Sequence, residues 1–177
     1  VAKAHKAHIM VAVLGEEEKL LERGKLFTKA MAVCCKQKYA TGVYTSGVVF
    51  EPRFYEGLAD MLKEDELPIF NWVWFGLYRS EGGLNGYTYG MDVFGKEEME
   101  VLNTDAEPEE LRDFLASLAS YVLACDVTLQ DGETIGFSAD DKHTITRSPG
   151  VSLPEEQMTL KIGYEPIKGD PEDDSCD

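Results

Sequence analysis

The run Ile69 to Tyr78 (IFNWVWFGLY) constrains this chain more than any other stretch, because it is apolar on both faces and interrupted only by Asn71. It has about half the residues needed to cross a bilayer as a helix, and a segment wetted on neither side must be buried within a folded domain. Its Val and aromatic content reads as a central strand of a sheet covered on both faces, too apolar for an edge. A chain of 177 residues supplies apolar surface for one such core and too little for two ordinary domains.

The elements around this strand follow from periodicity. His8 to Leu14 (HIMVAVL), ended by Gly15, reads as a short buried strand. Glu16 to Tyr39 reads as a helix, with acids in its first turn and Leu20, Gly24, Phe27, Met31 and Cys34/Cys35 on one face. Gly42 to Phe50 reads as a strand bent or bulged at Ser46-Gly47. Pro52 opens a helix to about Lys63. Glu81-Gly82-Gly83 and Asn85-Gly86 supply turn chemistry, and Tyr87, Tyr89 and Met91 alternate on the returning strand of an aromatic hairpin.

Met99 to Leu102 fits either a third strand or a helical turn. Pro108 opens a helix whose apolar step persists to Cys125. Short strands follow at Thr134 to Ser138, His143 to Arg147 and Met158 to Tyr164, punctuated by Asp131-Gly132, Pro149-Gly150 and Pro154. The expected fold is α/β (α+β): a two-layer sandwich, with a mixed sheet covered by about three helices and a β-rich C-terminal part. A single domain is expected over residues 1–164, with an acidic, solvated tail over 165–177.

Seventeen Lys and Arg against 33 Asp and Glu give a net charge of −16, a field that repels phosphate backbones and anionic lipid. Nucleic-acid and membrane binding are therefore disfavoured; the acidic balance permits a basic protein partner and equally serves to keep the chain in solution. The charge is uneven: residues 1–38 carry eight bases and four acids, and the remainder nine bases and 29 acids. The four cysteines form no C-x-x-C pair, so thiolate zinc is not expected, and free thiols in a reducing compartment are. Nothing reads as an export leader, which points to the cytoplasm.

Several of these stretches together resemble one family. His5-Lys6-Ala7-His8-Ile9 before a strand looks like its opening motif, and the Trp72-Val73-Trp74 strand fits it. So do Asp131-Gly132-Glu133-Thr134-Ile135-Gly136, Ser148-Pro149-Gly150-Val151 and Leu160-Lys161-Ile162. The chain resembles, over most of Ala4 to Tyr164, the bacterial domain of unknown function 4261. That resemblance implies a fold and brings no activity, cofactor or catalytic residue. Its members are usually longer at the N-terminus, so this chain, which opens on Val1, is expected to lack an N-terminal portion.

Candidate chemistry is sparse. His5 and His8, three apart, would share a helical face and point to opposite sides of a strand; a metal would need His143 or a carboxylate such as Glu100 as well. Asp131 and Glu133 flank a turn glycine, as ligands or simply as turn residues. Asp140-Asp141 and Asp173-Asp174 lack the alternation of a calcium loop, and Ser46-Gly47 lacks the frame of a nucleophile elbow. No stretch matches a phosphate loop, and no cofactor is expected. Trp72, Trp74, Tyr87 and Tyr89 either fill the core or line a cleft or partner surface. Two function classes stand: a non-catalytic protein-binding or regulatory module, with Trp74, Tyr87, Tyr89, His5 and His8 as candidate binding residues, or a metal-assisted hydrolase built on His5, His8 and nearby carboxylates.

Overall fold

A computed structural model describes residues 5–136 and 142–165. A short 3₁₀ turn leads into helix α1 (Leu20–Cys35); strands β1 (Val43–Thr45) and β2 (Val48–Phe50) form a hairpin; α2 (Pro52–Ala59) follows. Then come a one-turn helix α3 (Ile69–Trp72), strands β3 (Trp74–Ser80), β4 (Gly83–Tyr89) and β5 (Met99–Thr104), and the long helix α4 (Pro108–Ala124). Strands β6 (Thr134–Ile135), β7 (His143–Pro149) and β8 (Met158–Ile162) complete the described chain.

Six strands make one mixed sheet in the order β3-β4-β5-β8-β7-β6, in which only β5 and β8 run parallel. The long crossover through α4 and the β7 hairpin permits that parallel pair. Helix α4 covers one face of the sheet. Its Leu111, Phe114, Leu115, Leu118, Val122 and Leu123 are buried with Leu84, Met99, Val101, Ile145, Leu160 and Ile162 from the strands. At about 25 cal/mol per Å², this contact is the main apolar contribution to the fold. Helices α1 and α2 instead gather round the β1–β2 hairpin, where Cys35, Val43 and Tyr55 form a second small core flanked by Met31 and Phe50. The α+β class, a mixed sheet with helices packed on it, is as expected.

Three local readings need correction. The stretch Ile69 to Tyr78 is not one central strand. Pro68 starts a helical turn closed by the Asn71 N–H on Pro68 O and the Val73 N–H on Ile69 O, and the buried Asn71 amide donates to Tyr55 O. The remainder is β3, which lies at the edge of the sheet. The expected bend at Ser46-Gly47 is a two-residue hairpin turn with φ positive at both residues (48° and 75°), a geometry that glycine adopts without strain. Asn85-Gly86 is not a turn: Glu81-Gly82 turns the hairpin, and Asn85 and Gly86 lie inside β4.

The expected strand at His8 to Leu14 is also absent. These residues form neither helix nor strand, and Ile9, Met10 and Leu14 are 76%, 84% and 90% exposed. The run has strand composition, but among the described residues no strand pairs with it. Met99 to Leu102 resolves as strand, within β5. The end of the predicted strand at Ser138, the pair Asp140-Asp141 and residues 166–177, which include most of the acidic tail, lie outside the described residues. Among the described residues no helix is long and apolar enough to cross a membrane.

Candidate functional site

Strand register decides which side chains meet on the face of the sheet opposite α4. Residues paired directly across antiparallel strands share a face. Trp74 lies opposite Tyr89, Gly76 opposite Tyr87, and Tyr78 opposite Asn85, so the β3–β4 hairpin turns Trp74, Tyr78, Tyr87 and Tyr89 the same way. The row through Tyr87 continues across the sheet as Glu100, Lys161 and Thr146. Trp74, Tyr78 and Tyr89 are 46%, 39% and 48% exposed. The candidate site is this open aromatic face.

Its flatness depends on a missing side chain. A Cβ at Gly76 would overlap the Tyr87 ring, so glycine there lets the ring lie across β3. Tyr78 is held at the other end by a 3.1 Å hydrogen bond between its hydroxyl and that of Ser152, in the loop between β7 and β8. The tip of the β1–β2 hairpin approaches Tyr89 through Gly47.

The same Ser152 loop encloses a buried anion. Glu100 is fully buried, and its carboxylate accepts the backbone N–H of Val151, Ser152 (2.6 Å) and Leu153 and the Thr159 hydroxyl (2.8 Å). Lys161 Nζ pairs with it at 2.8 Å. Burial alone would raise this carboxyl's pKa; Lys161, the Thr159 hydroxyl and the Ser152 N–H outweigh it, and the value falls below the ordinary one. Glu100 therefore stays ionised and pins the loop to the sheet.

Glu98 is different. Its carboxylate is also buried and accepts from the Thr88 hydroxyl (2.7 Å) and the N–H groups of Gly90 (2.7 Å) and Met91 (2.9 Å). No cation pairs with it among the described residues. Burial dominates and raises its pKa, against the hydrogen bonds that lower it.

On the α4 side lies a cavity of ≈ 290 Å³, floored by Met99, Val122, Leu129 and Leu160. Arg147 stands at its rim in a bidentate pair with Glu97 (2.6 to 2.9 Å), and the Arg147 N–H donates to Asp131 Oδ1 at 2.7 Å. Asp131-Gly132 thus behaves as a turn: Gly132 has φ +82°, and the Asp131 carboxylate anchors β7.

The predicted site residues divide sharply. Trp74, Tyr87 and Tyr89 come together on the open face. Trp72 does not: it is buried against Phe94, with its indole N–H donating to the Thr28 hydroxyl at 2.6 Å. His5 and His8 are exposed ahead of α1, whereas His143 is buried beside Phe114 and Tyr164 and Glu100 serves the loop. Among the described residues no three His, Cys, Asp or Glu side chains converge to hold an ion. Cys34, Cys35 and Cys125 are free thiols, and burial pushes the Cys35 thiol up to about 11.

Sequence reasoning missed Tyr78, Glu98 and the Glu97–Arg147 pair. The signal for Tyr78 was present, because a strand places residues 74 and 78 on one face. The other two depend on a loop and on a contact between residues fifty apart in sequence. No curated protein and no solved structure matches the chain. Residues 87–163, which run from the Tyr87 strand through the Glu100 anchor to the end of the sheet, match the family model described as domain of unknown function (DUF4261), the family that the sequence motifs resemble.

Proposed function

We propose that this chain is a non-catalytic protein-binding module whose open face, formed by Trp74, Tyr78, Tyr87 and Tyr89, takes a basic segment of another protein. The observation that carries this reading is the exposure of Trp74 and Tyr89, directly opposite each other on the β3–β4 ladder. Large aromatics at such positions cost little conformational entropy to dock, and they dominate binding energy where they anchor interfaces. Guanidinium and ammonium groups stack on Trp and Tyr faces, and the net charge of −16 draws a cationic partner toward the molecule.

The test uses a labelled peptide in which arginine alternates with leucine, with binding followed by fluorescence anisotropy. Saturable binding is expected, weakened by salt. Replacing Trp74 and Tyr89 together by alanine is expected to lower affinity about tenfold or more, as truncating aromatic anchors does. No binding, or binding untouched by the double substitution, refutes the reading; the second outcome would mean bulk charge attracts the peptide without the aromatic face.

A further inference from the structure

We propose that the outer edge of β3 takes residues 8–14 of a second copy of this chain as an added strand, so that two copies exchange strands.

The two edges of the sheet are unlike. At one end β6 has two residues and offers little backbone to pair with. At the other, β3 has seven (WFGLYRS), with one charge, no proline and aromatic side chains. Long, apolar edges of this kind are templates for strand addition, and they are ordinarily blunted by charge, proline or a covering element. Among the described residues no strand pairs with the outer side of β3.

The same chain carries an unused strand. His8 to Leu14 is β-branched and apolar, lacks proline and lies unpaired, with Ile9, Met10 and Leu14 almost fully exposed. Burying those side chains against a neighbour would stabilise the pair by roughly 25 cal/mol for each Å² covered.

Its own β3 is poorly placed to receive it. Leu20, the first residue of α1, packs against Gly95, which follows β4, while Thr28, two turns on, reaches Trp72 at the foot of β3. Helix α1 meets Trp72, just ahead of β3, through Gly24 and Thr28, while its last turns pack with Val43 and Tyr55. The preceding segment is tied to the start of the helix by the Arg23 guanidinium on Val13 O.

Charge favours a second copy over an arbitrary partner. Residues 1–15 hold two lysines and no acid, whereas the chain beyond residue 38 carries nine bases against 29 acids. Each copy therefore offers an uncharged strand preceded by Lys3 and Lys6, and an acidic body, and reciprocal exchange closes as a two-fold dimer.

Sedimentation velocity over a concentration series, with hydrogen exchange of backbone amides, tests this on the whole chain and on Val11→Pro. Residue 11 lies outside every helix and strand, so each protomer should keep its thermal transition. A concentration-dependent dimer is expected, with amides of both 8–14 and 74–80 protected. Proline removes a ladder hydrogen bond from each exchanged strand, about tenfold per strand, so the dimer dissociation constant should rise about a hundredfold and both protections should fall. Three results overturn the proposal: a monomer at the highest soluble concentration, a dimer indifferent to Val11→Pro, or a monomer whose residues 8–14 are protected because they fold back on their own chain.

Discussion

Replacing Glu100 by glutamine tests the account of the buried anchor most directly. One carboxylate oxygen of Glu100 faces the N–H groups of Val151, Ser152 and Leu153, and the other faces Lys161 Nζ and the Thr159 hydroxyl. Both oxygens accept, so an amide cannot serve: whichever way it turns, its NH₂ meets donors. With Glu100 fully buried and the Lys161 side chain only 14% exposed, solvent relieves little of the loss. Leaving one partner of a buried pair uncompensated costs roughly 3–5 kcal/mol. For a domain of this size, each kcal/mol lowers the melting temperature by about 2–4 °C, so a fall of roughly 6–20 °C is expected. Circular dichroism melting at neutral pH reads it. A transition within 2 °C of the parent would show that the Ser152 loop is held by other contacts, and the reasoning would fail.

Glu98→Gln should behave oppositely, because among the described residues no cation pairs with Glu98. Its pKa is raised in the folded state, so the native protein binds the proton more tightly than the unfolded chain. Glu98 therefore costs stability progressively as pH rises from the ordinary carboxyl value of 4.5 through its folded value, and the variant should lose that part of the slope in urea denaturation run across the same pH range. Glu100 has the reverse sign: its contribution is present above the unfolded value and is lost on acidification through its depressed folded value. Gly76→Ala should force the Tyr87 ring off β3, costing about 1–3 kcal/mol as overpacking does, and should weaken the arginine peptide as well; unchanged affinity would detach Tyr87 from the binding face.

The parts of this fold legible in sequence were those written in local periodicity. The α4 stripe from Leu111 to Val122, the Pro52 helix start and the aromatic parity of Tyr87 and Tyr89 all survive in the structure. What misled was composition without context. Trp72 and Trp74 look like partners on one strand face, yet the helical turn ending at Trp72 breaks the alternation, sending one ring to the core and the other to solvent. Asn85-Gly86 has the sequence of a hairpin turn, but Asn85 spends its amide on Ser80 and on the Asn103 N–H, while Gly86 lets Leu111 and Leu115 approach the sheet. Neither demand is visible until α4 and β5 are in place. The candidate site was legible in its aromatics and opaque at Glu100, because that anchor is defined by donors that arrive from fifty or more residues away.

That distance has a consequence for synthesis. During translation the β3–β4–β5 meander emerges with Glu100 already on β5, while the Val151–Leu153 amides follow 51 to 53 residues later and Lys161 about 60 residues later. At about 5–20 residues per second, roughly 3–12 s pass in which β5 has an unpaired edge and a carboxylate without its cap. A carboxylate midway along an unpaired strand disfavours its pairing with another chain. In the folded protein that carboxylate is enclosed only once β8, with Lys161, pairs with β5.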